Sequence, residues 1–82
     1  KESEEMEMRQ YLKNLRDKKQ LTQTDIENRA GIKSNYYCMI ENGDRQTDMS
    51  LSIIEKLAKA FGVSVQTIVK EEMKYKKENQ IA

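Results

Sequence analysis

Few residues of this sequence have the types and spacing that catalysis requires. Histidine is absent and Cys38 is the single cysteine, which excludes a zinc finger and any Ser-His-Asp or Cys-His catalytic site. The 14 carboxylates are scattered along the chain, and they are not gathered beside the glycine-rich turns of a pocket or a phosphate-binding loop. We therefore predict that the protein is not an enzyme and that it holds no metal or cofactor.

Size and composition favour one small domain covering all 82 residues, of which 37% are apolar and 35% charged. A single cysteine cannot form an internal disulfide, and no apolar run is long enough for a membrane span or a signal peptide. These features predict a cytoplasmic protein without membrane contact. The net charge of +1 gives no overall basic signal, although the acidic excess lies in the first ten residues and residues 11–62 are slightly basic.

Five helices are predicted, because proline is absent and apolar residues recur at spacings of three and four. Glycines 31, 43 and 62 each follow a helical segment and are typical helix ends. The predicted N-caps are Thr22 with Asp25, then Ser50 or Asp48, and then Ser64. The segments are residues 3–19, 22–31, 34–42, 50–62 and a last one from 64, with fraying expected from residue 74 and residues 70–82 taken as an extension or a frayed tail.

The second and third segments are joined by a turn of only three residues, Gly31-Ile32-Lys33. Two helices this short and this closely tied must cross steeply and rely on the others for a core, which is the helix-turn-helix arrangement. The outer face of the helix at 34–42 then projects from the domain, and such a helix fits a DNA major groove.

The sequence around this turn resembles the Xre/Cro-type helix-turn-helix family of phage and bacterial repressors. The matching stretches are Leu15-Arg16, Leu21-Thr22-Gln23, Ile26, Ala30-Gly31-Ile32, Ile40-Glu41-Asn42-Gly43 and Leu57-Ala58-Lys59-Ala60-Phe61-Gly62-Val63-Ser64. They cover about residues 12–69. The resemblance implies an all-α, five-helix, lambda-repressor-like fold. It also implies a sequence-specific transcriptional regulator, a repressor, that binds double-stranded DNA with a pseudo-palindromic operator as a homodimer.

The resemblance further implies roles for individual residues. Ser34, Asn35, Tyr36 and Met39 fall where the family reads bases, and the planar amide of Asn35 is able to pair bidentately with adenine. Gln23 matches a phosphate-contacting glutamine at the edge of the half-site. The complete set of expected DNA-binding residues is Gln23, Lys33, Ser34, Asn35, Tyr36, Met39, Asn42 and Arg45. Arg16 and Glu41 match a structural ion pair.

The sequence also departs from the family pattern. Glu27 stands where a small residue is usual, so its carboxylate must turn to solvent or find a partner. Lys33 stands where Ser or Thr commonly caps the third helix, so either Ser34 takes over that cap or the cap is lost. The loop at residues 44–49 is longer than usual and carries Asp44 and Asp48, which weaken the case for backbone binding there.

Other functions and roles stay open at this stage. A protein-interaction module, such as the antitoxin half of a toxin–antitoxin pair, is the alternative function, with the polar tail after Val69 folding on a partner. Val69 and Met73 are the candidate dimer contacts. Tyr36 is either a groove contact or an exposed aromatic, whereas Tyr37 is expected in the core and Cys38 is expected to be inert.

Overall fold

The computed structural model describes residues 7–79, and this part of the chain forms five α-helices and no strand. The helices are α1 (Gln10–Lys18), α2 (Gln23–Ala30), α3 (Ser34–Asn42), α4 (Leu51–Phe61) and α5 (Val65–Glu78). The prediction of an all-α, five-helix fold is therefore confirmed. No helix within residues 7–79 is long and apolar enough to cross a membrane.

Several helix ends are fixed by capping residues that the sequence predicts. Thr22 accepts a hydrogen bond from the Asp25 N–H at 3.0 Å and donates its own N–H to the Asp25 carboxylate at 2.8 Å, which is a capping box. Ser50, not Asp48, caps α4, and Ser64 caps α5. Gly31 ends α2 with a φ of +74°, where a Cβ would meet no neighbour, so glycine is favoured there by the left-handed backbone and not by space.

The core draws at least one fully buried side chain from every helix. Its largest apolar members are Leu12 from α1, Ile26 from α2, Tyr37 and Ile40 from α3, Leu57 and Phe61 from α4, and Ile68 from α5. Burying each of these side chains stabilises the fold by about 1.5–3 kcal/mol. The short helices α2 and α3 thus bury their apolar side chains in a core that they share with α1, α4 and α5.

The two outer helices differ from the prediction. α1 begins at Gln10 instead of residue 3, and Met8 lies outside the helix and is 36% exposed. The cause is Arg9, whose N–H donates to the Glu41 carbonyl at 2.6 Å and whose backbone is not helical. Residues 3–6 of the predicted first helix lie outside the described residues.

At the other end, α5 continues to Glu78 instead of fraying from Lys74. Tyr75 is only 5% exposed, and its hydroxyl donates to the Glu7 carbonyl, so the last turns of α5 pack against the segment just before α1. Tertiary burial therefore stabilises a segment whose composition alone predicts fraying. The expectation of a frayed tail at residues 80–82 lies outside the described residues.

Candidate nucleic-acid interface

The turn between α2 and α3 is closed by Glu27. Its Oε1 accepts a hydrogen bond from the Ser34 N–H at 3.1 Å, so a carboxylate on α2 satisfies one of the free N–H groups at the start of α3. Lys33 occupies the N-cap position without a side-chain cap. A carboxylate here also complements the positive end of the α3 dipole. The unusual Glu27 therefore has a partner, and the Ser34 hydroxyl is not needed as the cap.

α3 has one buried and one outward face. Tyr37, Ile40 and Glu41 are buried, which places Tyr37 in the core as expected. Asn35 and Asn42 are exposed, and Lys33 and Arg45 are exposed on either side of the helix. Half-buried side chains complete the outward surface: Ser34, Tyr36, Cys38 and Met39 on α3, and Gln23 as the first residue of α2.

Several of these side chains already have protein partners. The Asn42 amide donates to the Cys38 Sγ at 3.6 Å, and the Arg45 guanidinium donates to the Asp44 carbonyl at 3.1 Å. The Tyr36 hydroxyl accepts from the Gln46 Nε2 at 2.8 Å. The Gln46–Tyr36 contact thus links the outward side of α3 to the loop after it.

The inner side of α3 is fixed to α1 by an ion pair. Arg16 donates from Nε and Nη2 to the two oxygens of Glu41, at 3.0 and 3.1 Å, and the Tyr37 hydroxyl donates to the same carboxylate at 2.9 Å. Hydrogen bonding to Glu41 raises the pKa of Arg16. Burial, together with the Glu41 charge, raises the pKa of Tyr37. This network holds the end of α3 in a fixed position.

A second arginine, which the sequence analysis missed, lies at the same end of α3. Arg9 is completely buried, and all five of its N–H groups have acceptors. Nε and Nη2 donate to the Glu72 carboxylate, both at 2.8 Å. The remaining donors bind the carbonyls of Ile40 at 2.7 Å, Arg45 at 3.1 Å, and Gln46.

The Arg9–Glu72 pair joins three parts of the molecule. The Ile40 carbonyl belongs to the last turn of α3, so the guanidinium caps that helix and complements its negative end. The Arg45 and Gln46 carbonyls belong to the following loop, and Glu72 lies on α5. The Tyr11 hydroxyl also donates to Glu72 at 2.6 Å, and the Tyr75 ring lies 4.9 Å from the guanidinium carbon. Burial works against the charged guanidinium, but Glu72 outweighs it and the pKa of Arg9 is raised.

A sequence signal for this pair exists, although it is weak. Arg9, Leu12 and Arg16 are spaced i, i+3, i+7, and Ile68, Glu72 and Tyr75 are spaced i, i+4, i+7. Each charged residue thus falls on the same stripe as a core residue. Glutamate and arginine on such a stripe are buried only when paired, and the spacing alone does not identify the partner.

The carboxylates near α3 are mostly engaged with other groups. Asp25 belongs to the capping box, Glu27 binds the Ser34 N–H, and Glu41 pairs with Arg16. Asp48 pairs with Lys76, whose hydrogen bond and charge lower the pKa of that carboxyl, and Asp44 stays exposed. Within residues 7–79, no group of His, Cys, Asp and Glu is placed to hold a metal ion.

A short α2–turn–α3 unit, supported by three further helices and presenting one outward polar face, defines a helix-turn-helix domain. Comparison with known families agrees, because the helix-turn-helix domain family matches residues 10–73. The chain belongs to that family, which supports DNA binding. No match is found among curated proteins.

Proposed function

We propose that the protein is a sequence-specific transcriptional regulator of the Xre/Cro type, a repressor, and that α3 is its recognition helix. The observation that carries this proposal is the division of α3 into two faces. Its inner face is held by the Arg16–Glu41 ion pair, and its outward face presents Asn35 without covering structure. A rigidly held helix with an exposed planar amide suits base reading in the major groove.

The other expected contacts support the same interface. Lys33 and Arg45 flank α3 as exposed cations and are suited to phosphate contact, which positions the protein without reading sequence. Ser34 and Met39 add a hydroxyl and an apolar surface for base edges, and Gln23 adds an amide from the start of α2. We assign the phosphate-facing end of the interface to Asn42, Arg45 and the loop after α3.

The size of the domain supports binding as a homodimer. One module of this size buries too little surface for high affinity, whereas two copies on a pseudo-palindrome place two recognition helices about one DNA turn apart. Met73 is 67% exposed and Val69 is half-buried on the same helix, one turn away, so α5 offers an apolar contact for a second copy. The same two apolar side chains favour a protein-interaction module as the second candidate function.

A binding-site selection on random duplex DNA tests the proposal, with wild type compared with Asn35→Ala. We expect wild type to select a two-fold symmetric consensus and the variant to lose preference at one position in each half-site. The discrimination lost at that position is about 1–3 kcal/mol. Asn14→Ala is the matched control, since Asn14 is an exposed asparagine on α1. A consensus that Asn35→Ala leaves unchanged contradicts the base-reading role.

A further inference from the structure

The loop after α3 reaches back to the recognition helix through Gln46. Its side-chain Nε2 donates to the Tyr36 hydroxyl at 2.8 Å, while its Oε1 accepts from the Ser50 N–H at 3.0 Å. Its carbonyl accepts from the buried guanidinium of Arg9. Gln46 also has a left-handed backbone, with a φ of +61°, which an ordinary residue rarely adopts. Three separate contacts thus hold one residue between α3, α4 and the Arg9–Glu72 pair.

This arrangement fixes the direction of the hydrogen bond to Tyr36. A backbone N–H can only donate, so the amide oxygen of Gln46 must face Ser50 and the amide nitrogen must face Tyr36. An amide nitrogen can only donate, so the Tyr36 oxygen is the acceptor. The proton of the Tyr36 hydroxyl is therefore not used in the bond to Gln46 and is available for donation to another acceptor. Within residues 7–79, the hydroxyl makes no other hydrogen bond.

The position of Tyr36 suits a contact outside the protein. The half-buried ring packs against the core and anchors the side chain, while neighbouring Asn35 on α3 is exposed. We propose that Gln46 makes the Tyr36 hydroxyl a one-way donor to a hydrogen-bond acceptor of DNA, either a phosphate oxygen or a base-edge atom in the major groove. This inference rests on the proposed function. Tyr36 is the contacting residue and Gln46 is the positioning residue.

Preorganisation gives this contact its value. A tyrosine ring packed against the core and held by an amide loses little rotational freedom when it binds DNA. A hydroxyl that already accepts inside the protein is specific for acceptors, so it discriminates against DNA groups that only donate, such as the cytosine amino group.

The test compares the affinities of wild type, Tyr36→Phe, Gln46→Glu and the double variant for the selected DNA site. Tyr36→Phe keeps the aromatic ring and loses the donor, so we expect binding to weaken about three- to tenfold. A carboxylate at position 46 would still accept from Ser50, but it would also accept the Tyr36 proton and reverse the bond. In the Gln46→Glu background, removing the hydroxyl should therefore change affinity by less than about twofold, and this comparison cancels the effect of the added charge.

The selected DNA then distinguishes the two kinds of acceptor. A base contact predicts that Tyr36→Phe loses preference at one position in each half-site. Where the contacted atom is a purine N7, 7-deazapurine at that position weakens only wild type. A phosphate contact predicts that Tyr36→Phe weakens binding to all sequences equally. Methylphosphonate at the contacted phosphate should then remove the difference in affinity between wild type and Tyr36→Phe. Either result supports the proposal, provided that far-ultraviolet circular dichroism shows all four proteins folded.

Two results would overturn the proposal while leaving the proposed function intact. One is that wild type and Tyr36→Phe bind the selected site with equal affinity. The other is that Tyr36→Phe lowers the affinity for DNA as much in the Gln46→Glu background as in the wild-type background. A wild-type protein that selects no sequence overturns the proposed function and this inference together.

Discussion

At the scale of single residues, Glu27 shows how the fold accommodates a carboxylate where the sequence analysis expected a small residue. A capping serine or threonine at position 33 would satisfy the start of α3 from within its own chain segment. Here Lys33 supplies no cap, and the Glu27 carboxylate reaches across the turn to the Ser34 N–H instead. Lys33 and Glu27 thus compensate for each other, because a side chain of α2 holds the start of α3.

This exchange predicts the effect of substituting Glu27. We expect Glu27→Ala to lower the free energy of unfolding by about 1 kcal/mol, which is typical for the loss of a helix cap. Glu27→Gln supplies an amide oxygen that can accept from the Ser34 N–H, so it should lower the free energy of unfolding by less than half as much as Glu27→Ala. Urea denaturation followed by circular dichroism gives both values. Equal losses for alanine and glutamine would show that the acceptor at position 27 does not stabilise the turn.

At the scale of elements, α3 is held at its carboxyl end by two arginine–glutamate pairs. Arg16–Glu41 joins it to α1, and Arg9–Glu72 joins its last turn and the following loop to α5. Buried ion pairs stabilise a fold weakly compared with apolar packing, but removing one partner leaves an isolated buried charge. Here the two ion pairs define the position of the carboxyl end of α3, because each bidentate pair fixes the relative orientation of its two side chains.

Substitution of Arg9 is therefore expected to be severe. Arg9→Met leaves Glu72 buried without its cation and three carbonyls without their donor, so the free energy of unfolding should fall by about 3–5 kcal/mol. Arg9→Met combined with Glu72→Met should recover part of this loss, since no unpaired charge remains. Urea denaturation measures all the variants.

The control for this experiment is Lys13→Met. Lys13 pairs with Asp17 at 3.3 Å on the exposed side of α1, where the side chains are 45% and 58% exposed. Exposed pairs of this spacing contribute only about 0.3–0.5 kcal/mol, and methionine and lysine have similar helix propensities. An Arg9→Met loss no larger than that of Lys13→Met would contradict the role of the buried pair.

The helices were predictable to different degrees, for physical reasons. α2 and α4 carry local signals at both ends, such as Thr22 with Asp25 and the glycines that follow, so their limits could be predicted from neighbouring residues. The start of α1 and the end of α5 depend on Arg9, Glu72 and Tyr75, which meet from opposite ends of the chain. Local propensity contains no information about such partners. At the candidate interface, the Gln46–Tyr36 bond depends on the path of a loop and could not be predicted either.

At the scale of the whole molecule, the near-zero net charge agrees with the way the charged groups are used. Most carboxylates close to α3 cap helices or pair with arginine, and the exposed Asp48 pairs with Lys76, whereas Asp44 stays exposed. For the proposed DNA interface we therefore expect affinity to depend on positioned amides, hydroxyls and backbone N–H groups more than on counterion release.

Two tyrosines with a raised pKa predict how stability depends on pH. Burial and the neighbouring carboxylates Glu72 and Glu41 raise the pKa of Tyr11 and Tyr37 in the folded state. Unfolded tyrosine ionises near pH 10, so above about pH 10 only the unfolded state loses these protons. The free energy of unfolding should therefore be insensitive to both tyrosines below about pH 10 and should fall above it.

Urea denaturation at several pH values between about 8 and 11, on both sides of the ordinary tyrosine pKa, measures this dependence. Tyr37→Phe removes one of the two groups and should make the alkaline decline shallower than in wild type, although the variant starts from lower stability because Glu41 loses a donor. An identical slope in wild type and Tyr37→Phe would show that Tyr37 does not contribute to the alkaline loss.

The Arg9–Glu72 contact also has a consequence for the order of folding. The two residues are 63 positions apart in the sequence, and Tyr75 contacts Glu7, which is 68 positions away. α2, the turn and α3 can form from contacts between near neighbours, whereas the contacts at the chain ends require closure of almost the whole chain. We therefore expect the Arg9–Glu72 contact to assemble last, so that α3 forms before it acquires its final direction.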